Sequence, residues 1–434
     1  VTAGRRAALT LLTGSTAVQA ASNALAAVLA TMLLGPADRG AMVLGLTISG
    51  VAAVAGGLGT GSAFRARLPG AGGSRRDVVA AYTWLSLSAA GLGSVAAVVA
   101  CAASASFIDP MLARPPFLAG VAVATVGQLA LAQQTDAWFA AGLFRAGGGW
   151  GAVAATAGLV AMLAAAVAGP AAWVLLLAQG LGTVGVVGVA GWRLWRSGLV
   201  SFARPAGQEL AGLLRVGVPV LGATVGFILA MRADRLVLGA VAGVGAVGVY
   251  SLAATLGEIP RLLPAAVGQL VMRDVALGTT RDGIRRAVRL AVGLTVAAGV
   301  AIAVAGWVLI GPVFGPEFAA ARPVLIVLLV AEVCLVPYGL AIRGLMGGGW
   351  TRVAGTLGGV GGLVGLVLFG LVIARWGLAG AAVASTVLYA GLSLASWSML
   401  RRRLTPPVST VVGAHREPDV LDAPAALDAK EAVR

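Results

Sequence analysis

An all-α polytopic membrane protein of about twelve transmembrane helices is the fold class that the sequence predicts. Three observations predict it. Of the 434 residues, 59% are hydrophobic and 11% charged, where a soluble domain carries about 25% charged residues, and the mean hydropathy is +0.96. Apolar runs of about 20 residues, the length that spans a bilayer as a helix, recur along the chain. The arginines gather in alternate loops, as the positive-inside rule requires. Together these exclude a soluble globular enzyme, a disordered chain, a collagen and a disulfide scaffold.

The spans read in order as Thr13–Leu34, Ala41–Phe64, Val78–Phe107, Phe117–Phe139, Trp150–Ala168 and Ala171–Trp192. The second six are Leu213–Leu236, Val247–Met272, Leu290–Ile310, Pro323–Leu345, Val353–Ala374 and Leu378–Leu400. The shortest separation is inside 150–192, where Gly169 and Pro170 mark the turn. Strands of an outer-membrane barrel are about ten residues long and alternate in polarity, and these runs are longer and uniformly apolar. The first run follows Arg5 and Arg6, like a signal peptide. Its apolar stretch exceeds the 7–15 residues of a signal core, so it reads as a retained helix.

With the N-terminus placed in the cytoplasm, the inner loops and ends collect 21 arginines, from Arg5 to Arg403, and the outer loops only Arg39, Arg114, Arg322 and Arg375. This asymmetry predicts a protein of the bacterial cytoplasmic membrane with both termini on the cytoplasmic side. It also accounts for the net charge of +15 through topology and anionic headgroups, so no nucleic-acid partner is implied. One lysine among so many arginines points to a GC-rich bacterial genome. The segment 404–434, with Pro406, Pro407 and several acids, reads as a disordered cytoplasmic tail. Cys101 and Cys334 both sit in apolar runs and His415 in the tail, so neither a disulfide framework nor a metal site is expected. No cofactor is implied beyond coupling to H+ or Na+. No GxxxxGK[ST] pattern occurs, and Gly147–Gly149 and Gly347–Gly349 read as loops or hinges. The chain therefore reads as a non-enzyme.

An internal repeat organises the spans. LLGPADRGAMVLGL, from Leu33, and VLGAVAGVGAVGVYSL, from Val237, share a branched residue, Leu-Gly, a turn, and a Gly opening the next helix. They close hairpins six helices apart, which predicts two parallel six-helix bundles, residues 1–204 and 205–403.

The same residues carry a family resemblance. The first copy, with Asp38 after Leu-Gly-Pro, resembles the first hairpin of the polysaccharide-biosynthesis flippases of the multidrug/oligosaccharidyl-lipid/polysaccharide exporter superfamily. The stretch from Leu213 to Gln269 resembles the start of their second bundle in Gly217, Pro219, Asp234, Arg235, Leu238, Gly239, Gly248, Tyr250, Ala253 and Pro264. FGPEFAAARPVLIVLL, from Phe314, resembles the segment after their ninth span. The resemblance covers about residues 10 to 400. It implies a central cavity between the bundles and alternating access. The implied cargo is an isoprenoid pyrophosphate carrying sugars, with polymerases or glycosyltransferases as partners alongside membrane lipids. Alternative readings are a flippase for the peptidoglycan-precursor lipid, a cation-coupled drug exporter and a membrane-embedded glycosyltransferase or polymerase.

An anionic headgroup crossing hydrocarbon needs cationic partners, and arginine suits phosphate because its planar fork bonds bidentately. Charges inside spans are costly, about 2.5–3.5 kcal/mol each on insertion scales, and are functional candidates by default. Glu258 and Arg261 fall near the middle of the eighth span, one helical turn apart, where Pro260 and Pro264 should kink the helix. They either pair with each other or face the cavity. Arg232, Asp234 and Arg235 fall near the outer end of the seventh span. They form either a pyrophosphate patch with Asp234 orienting an arginine, or a set of interfacial side chains. Glu332, mid-membrane in the tenth span, is an ion-coupling candidate with Glu258 and Asp234. Asp136 reads as interfacial. Ser15, Gln19 and Asn23 form a polar stripe that either bonds cargo sugars or holds helices together. Arg261, Arg232, Arg235, Gln19 and Asn23 are thus the substrate-binding candidates.

Overall fold

A computed structural model describes residues 3–276 and 281–404, and no strand occurs among them. The expected tail falls almost wholly outside the described residues. The helices are α1 (Ala3–Leu33), α2 (Pro36–Gly56), α3 (Thr60–Arg67), α4 (Arg75–Ser104), α5 (Pro115–Ala140) and α6 (Phe144–Ala166). They continue with α7 (Ala172–Arg196), α8 (Gly207–Gly257), α9 (Leu262–Ala276), α10 (Arg281–Phe314), α11 (Ala321–Gly347) and α12 (Thr351–Arg403).

Ten helical segments among the described residues are long and apolar enough to cross a membrane. Two of them, α8 and α12, contain a residue with non-helical backbone, Gly243 (φ 79°, ψ 172°) and Gly377 (φ 53°, ψ −127°). The chain reverses at both. A Cβ on Gly239 would meet the Val247 side chain, and one on Gly380 would meet the Val372 carbonyl. Residues eight apart in a continuous helix lie about 12 Å from each other. Only glycine takes these backbone angles without a Cβ clash. The described residues therefore traverse the bundle twelve times, and this is a multi-pass membrane protein. Large apolar side chains such as Leu92, Leu363, Leu371 and Leu394 stay largely exposed on the outside, as contact with lipid chains requires.

Three boundaries differ from the sequence reading. The turn after the seventh span lies at Gly243, so this helix runs on past Leu236. The second span begins at Pro36 and is broken at Gly57–Gly59, where Leu58 also has positive φ, before α3 resumes it. The fifth begins at Phe144, which puts Gly147–Gly149 inside its first turns instead of in a loop. The eighth span is interrupted as its prolines suggest: a 3₁₀ turn over Ile259–Arg261 separates α8 from α9.

Helices α1, α2 and α4–α7 pack among themselves, as do α8–α12, and α2 packs along α8 between the two sets. One apolar core, containing Leu44, Phe117, Tyr250, Phe318 and Phe369, joins both sets. It lies toward the end carrying the 34–36 and Gly243 turns, which is the arginine-poor end. Toward the arginine-rich end the core divides. Phe64, Tyr82, Trp138 and Leu194 belong to one cluster, and Val271, Leu340, Leu345 and Leu400 to another.

Candidate functional site

Between the two sets of helices lies a cavity of about 1180 Å³. Its charged lining is Arg39, Arg65, Arg232, Arg235 and Arg261 against Asp136 and Glu258. Polar side chains line the rest, among them Gln19, Asn23, Thr47, Gln128 and Gln179.

The predicted arginines meet here, in pairings that spacing alone does not reveal. Because the seventh span extends to the turn at Gly243, Arg232 and Arg235 lie deeper than an interfacial position. They are level with the break in the eighth span. Arg232 donates from Nη1 to Glu258 Oε1 at 3.0 Å and from Nη2 to Oε2 at 3.4 Å, and Arg235 donates from Nη2 to the same Oε1 at 3.0 Å. Glu258 therefore serves two arginines of the neighbouring span. It does not pair with Arg261, although the two are one turn apart. The 3₁₀ turn swings Arg261 toward the tenth span, where its Nε donates to Glu332 Oε2 at 2.8 Å and its Nη2 donates to Oε1. This is a bidentate fork of the strong kind. Arg235 keeps a buried Nε with no partner among the described residues.

Of the three carboxylates read as ion-coupling candidates, only Glu258 is on the cavity wall. Glu332 is 6% exposed and lies behind Arg261. Asp234 is buried. Its Oδ1 accepts the Arg235 backbone N–H at 2.8 Å and its Oδ2 accepts the Tyr250 hydroxyl at 2.6 Å. Asp234 thus holds the backbone of an arginine and ties the seventh span to the eighth. Tyr250→Phe should lower the melting temperature of the purified protein, because a buried carboxylate oxygen loses its donor, a loss of about 1–3 kcal/mol. An unchanged melting curve would show that the contact contributes nothing to stability.

Gln19 and Asn23 line the cavity, whereas Ser22 on the same helix bonds Thr156 at 3.2 Å and faces the fifth span. Asp136 reaches the cavity as well and pairs with Arg65 at 2.7 Å. Arg39 and Arg65 are the cavity arginines that sequence reasoning missed. Arg39 stands not in an outer loop but in the first turn of α2, 3% exposed, with its side chain on the cavity wall. The signal for Arg39 was present in the sequence: Pro36, directly after the Leu-Gly pair, starts a helix, which places Arg39 inside it.

No protein-family model and no curated protein sequence matches the chain. Solved structures do. An inward-facing multidrug-resistance MATE transporter of the MOP superfamily superposes with a TM-score of 0.72 at 15% identity, over 89% of this chain and 94% of that one. This chain shares the fold of that transporter. The lipid II flippase MurJ in an inward closed conformation superposes equally well, with a TM-score of 0.72 at 13% identity over 91% and 92% of the two chains. A MOP-superfamily transporter from Pyrococcus furiosus, described as having a binding pocket of reversed polarity, matches at a TM-score of 0.56 and 16% identity over 92% and 94%.

Proposed function

We propose that this protein is a flippase that carries an isoprenoid-pyrophosphate-linked oligosaccharide across the cytoplasmic membrane by alternating access, for cell-surface polysaccharide synthesis. The observation that carries this reading is the charge of the cavity wall: five arginines against two carboxylates in a space of about 1180 Å³. Such a wall suits an anionic headgroup and repels a cationic drug. The amides of Gln19, Asn23, Gln128 and Gln179 suit sugar hydroxyls. In this reading no bond of the cargo is made or broken, and the protein is a transporter, not an enzyme.

The residues take the following roles. Arg232, Arg235 and Arg261 hold the pyrophosphate, with Glu258 and Glu332 orienting their guanidinium groups. Coupling to a proton or sodium gradient would act at Glu258, the carboxylate within reach of cargo. The two sets of helices, divided near residues 204 and 205, move as bodies. The single apolar core at the arginine-poor end and the divided core at the other support a state closed toward the arginine-poor side. The arginine-rich end, with both termini, faces the cytoplasm. The shared fold with MurJ favours the peptidoglycan-precursor lipid as the second reading.

Reconstitution in liposomes tests this. Fluorescent sugar-lipids with a pyrophosphate link are scored for exposure to a membrane-impermeant quencher. Protein-dependent exposure that requires the pyrophosphate is expected. No exposure of any sugar-lipid, together with export of a small cationic dye, would replace the reading with a drug exporter. Exposure of the peptidoglycan precursor alone would move it to the second reading.

A further inference from the structure

The charged groups of the cavity pair off, with one exception. Arg65 is met by Asp136, Arg232 and Arg235 by Glu258, and Arg261 by Glu332. Arg39 has no acidic partner among the described residues. Its neighbour Asp38 makes no ion pair with it, and the charge that acts on it is a second cation, Arg235. The side chain is nevertheless held firmly. Its Nε donates to Thr31 Oγ1 at 3.0 Å, and the Thr31 hydroxyl in turn donates to the Ala27 carbonyl at 2.8 Å. The threonine proton is committed to Ala27, so its oxygen is left to accept from Arg39, and this fixes the plane of the guanidinium. Neither terminal amino group of Arg39 makes a hydrogen bond among the described residues, and the side chain lies on the cavity wall.

A buried, oriented and uncompensated guanidinium is costly to keep unless something negative meets it. Two parallel N–H groups on a fixed plane match the oxygens of a phosphate. We propose that Arg39, positioned by Thr31, forms an anion-binding site at the arginine-poor end of the cavity, beside Arg235 and bonded to none of the carboxylates that serve the arginine cluster, for a phosphate-type oxyanion. Anion recognition follows from the geometry of this site by itself. Its place in transport, as a second station that receives the pyrophosphate on its way toward the arginine-poor side, rests on the flippase reading.

The test is titration of the purified, nanodisc-embedded protein with inorganic phosphate, inorganic pyrophosphate and a short isoprenyl pyrophosphate, followed calorimetrically. Wild type, Arg39→Gln and Arg39→Lys are compared, each checked for fold by melting temperature and gel filtration. Pyrophosphate affinity should fall at least roughly tenfold in Arg39→Gln, the loss expected for a charge-assisted contact, and less in Arg39→Lys. Removing an unpaired buried charge should not lower the melting temperature, whereas a purely structural arginine would lower it. Equal affinity in wild type and Arg39→Gln, or no anion binding by wild type, overturns the site. Arg39-dependent binding of the inorganic anions without binding of the isoprenyl pyrophosphate keeps the site and removes the flippase cargo. Should Arg39→Gln fail to fold, arginine modification by phenylglyoxal in the wild type decides. Mass spectrometry should find Arg39 protected by pyrophosphate, and absence of protection overturns the site.

Discussion

Valine at Gly40 or at Gly248 will stop translocation and leave the cavity reachable from the arginine-poor side. These glycines belong to the two repeat copies, and the copies meet face to face. A Cβ on Gly40 would fall inside the van der Waals radius of the Val244 carbonyl oxygen, and one on Gly248 inside that of the Pro36 carbonyl oxygen. Both obstacles are backbone, so no side chain can rotate away. The second and eighth spans can only separate, and the closed arrangement of this end is penalised by about 1–3 kcal/mol or more. That shifts the balance between closed and open by roughly ten- to a hundredfold. Two observations check it: transport in liposomes, and labelling of a Thr47→Cys reporter on the cavity wall by an impermeant maleimide, after replacement of Cys101 and Cys334. Labelling from the arginine-poor side should rise as transport falls. Unchanged labelling with normal transport would show that this end never needs so close a contact.

Arg261→Ala should abolish transport and also reduce the amount of folded protein. The side chain of Glu332 is 7% exposed, and Arg261 is its ion-pair partner. Removing the arginine strands a buried carboxylate, at a cost of about 3–5 kcal/mol. A loss of transport in the single variant is therefore ambiguous, and the double variant Arg261→Met with Glu332→Gln separates the two effects. With both charges removed, folded yield by fluorescence-detected gel filtration should return toward wild type while transport stays absent. Normal transport by the double variant would take Arg261 out of cargo binding and leave it a structural ion pair.

Much of this molecule follows from local chemistry. Twelve traverses, the exposed apolar outside and the break at Pro260 are consequences of apolar run length and of missing backbone donors, and both are legible one segment at a time. The repeat is legible too, since it is a pattern within the chain. The pairing of charges is not. One helical turn suggests that Glu258 meets Arg261, yet the 3₁₀ turn between them sends Glu258 to the seventh span and Arg261 to the tenth. Depth fails for a similar reason. Leu-Gly at 238 and 239 looks like the end of a helix, but the reversal waits for Gly243, and this carries Arg232 and Arg235 inward.

Arg39 shows the division most plainly. The sequence by itself determined that the chain is a bundle of membrane helices with its arginines segregated by side, because lipid tolerates little else and because loops are sorted by charge before any tertiary contact forms. Only the tertiary structure decided which arginines stay in the loops and which enter the cavity. That choice depends on where a hairpin turns to within a residue or two, and on whether a carboxylate from another span arrives to neutralise the charge.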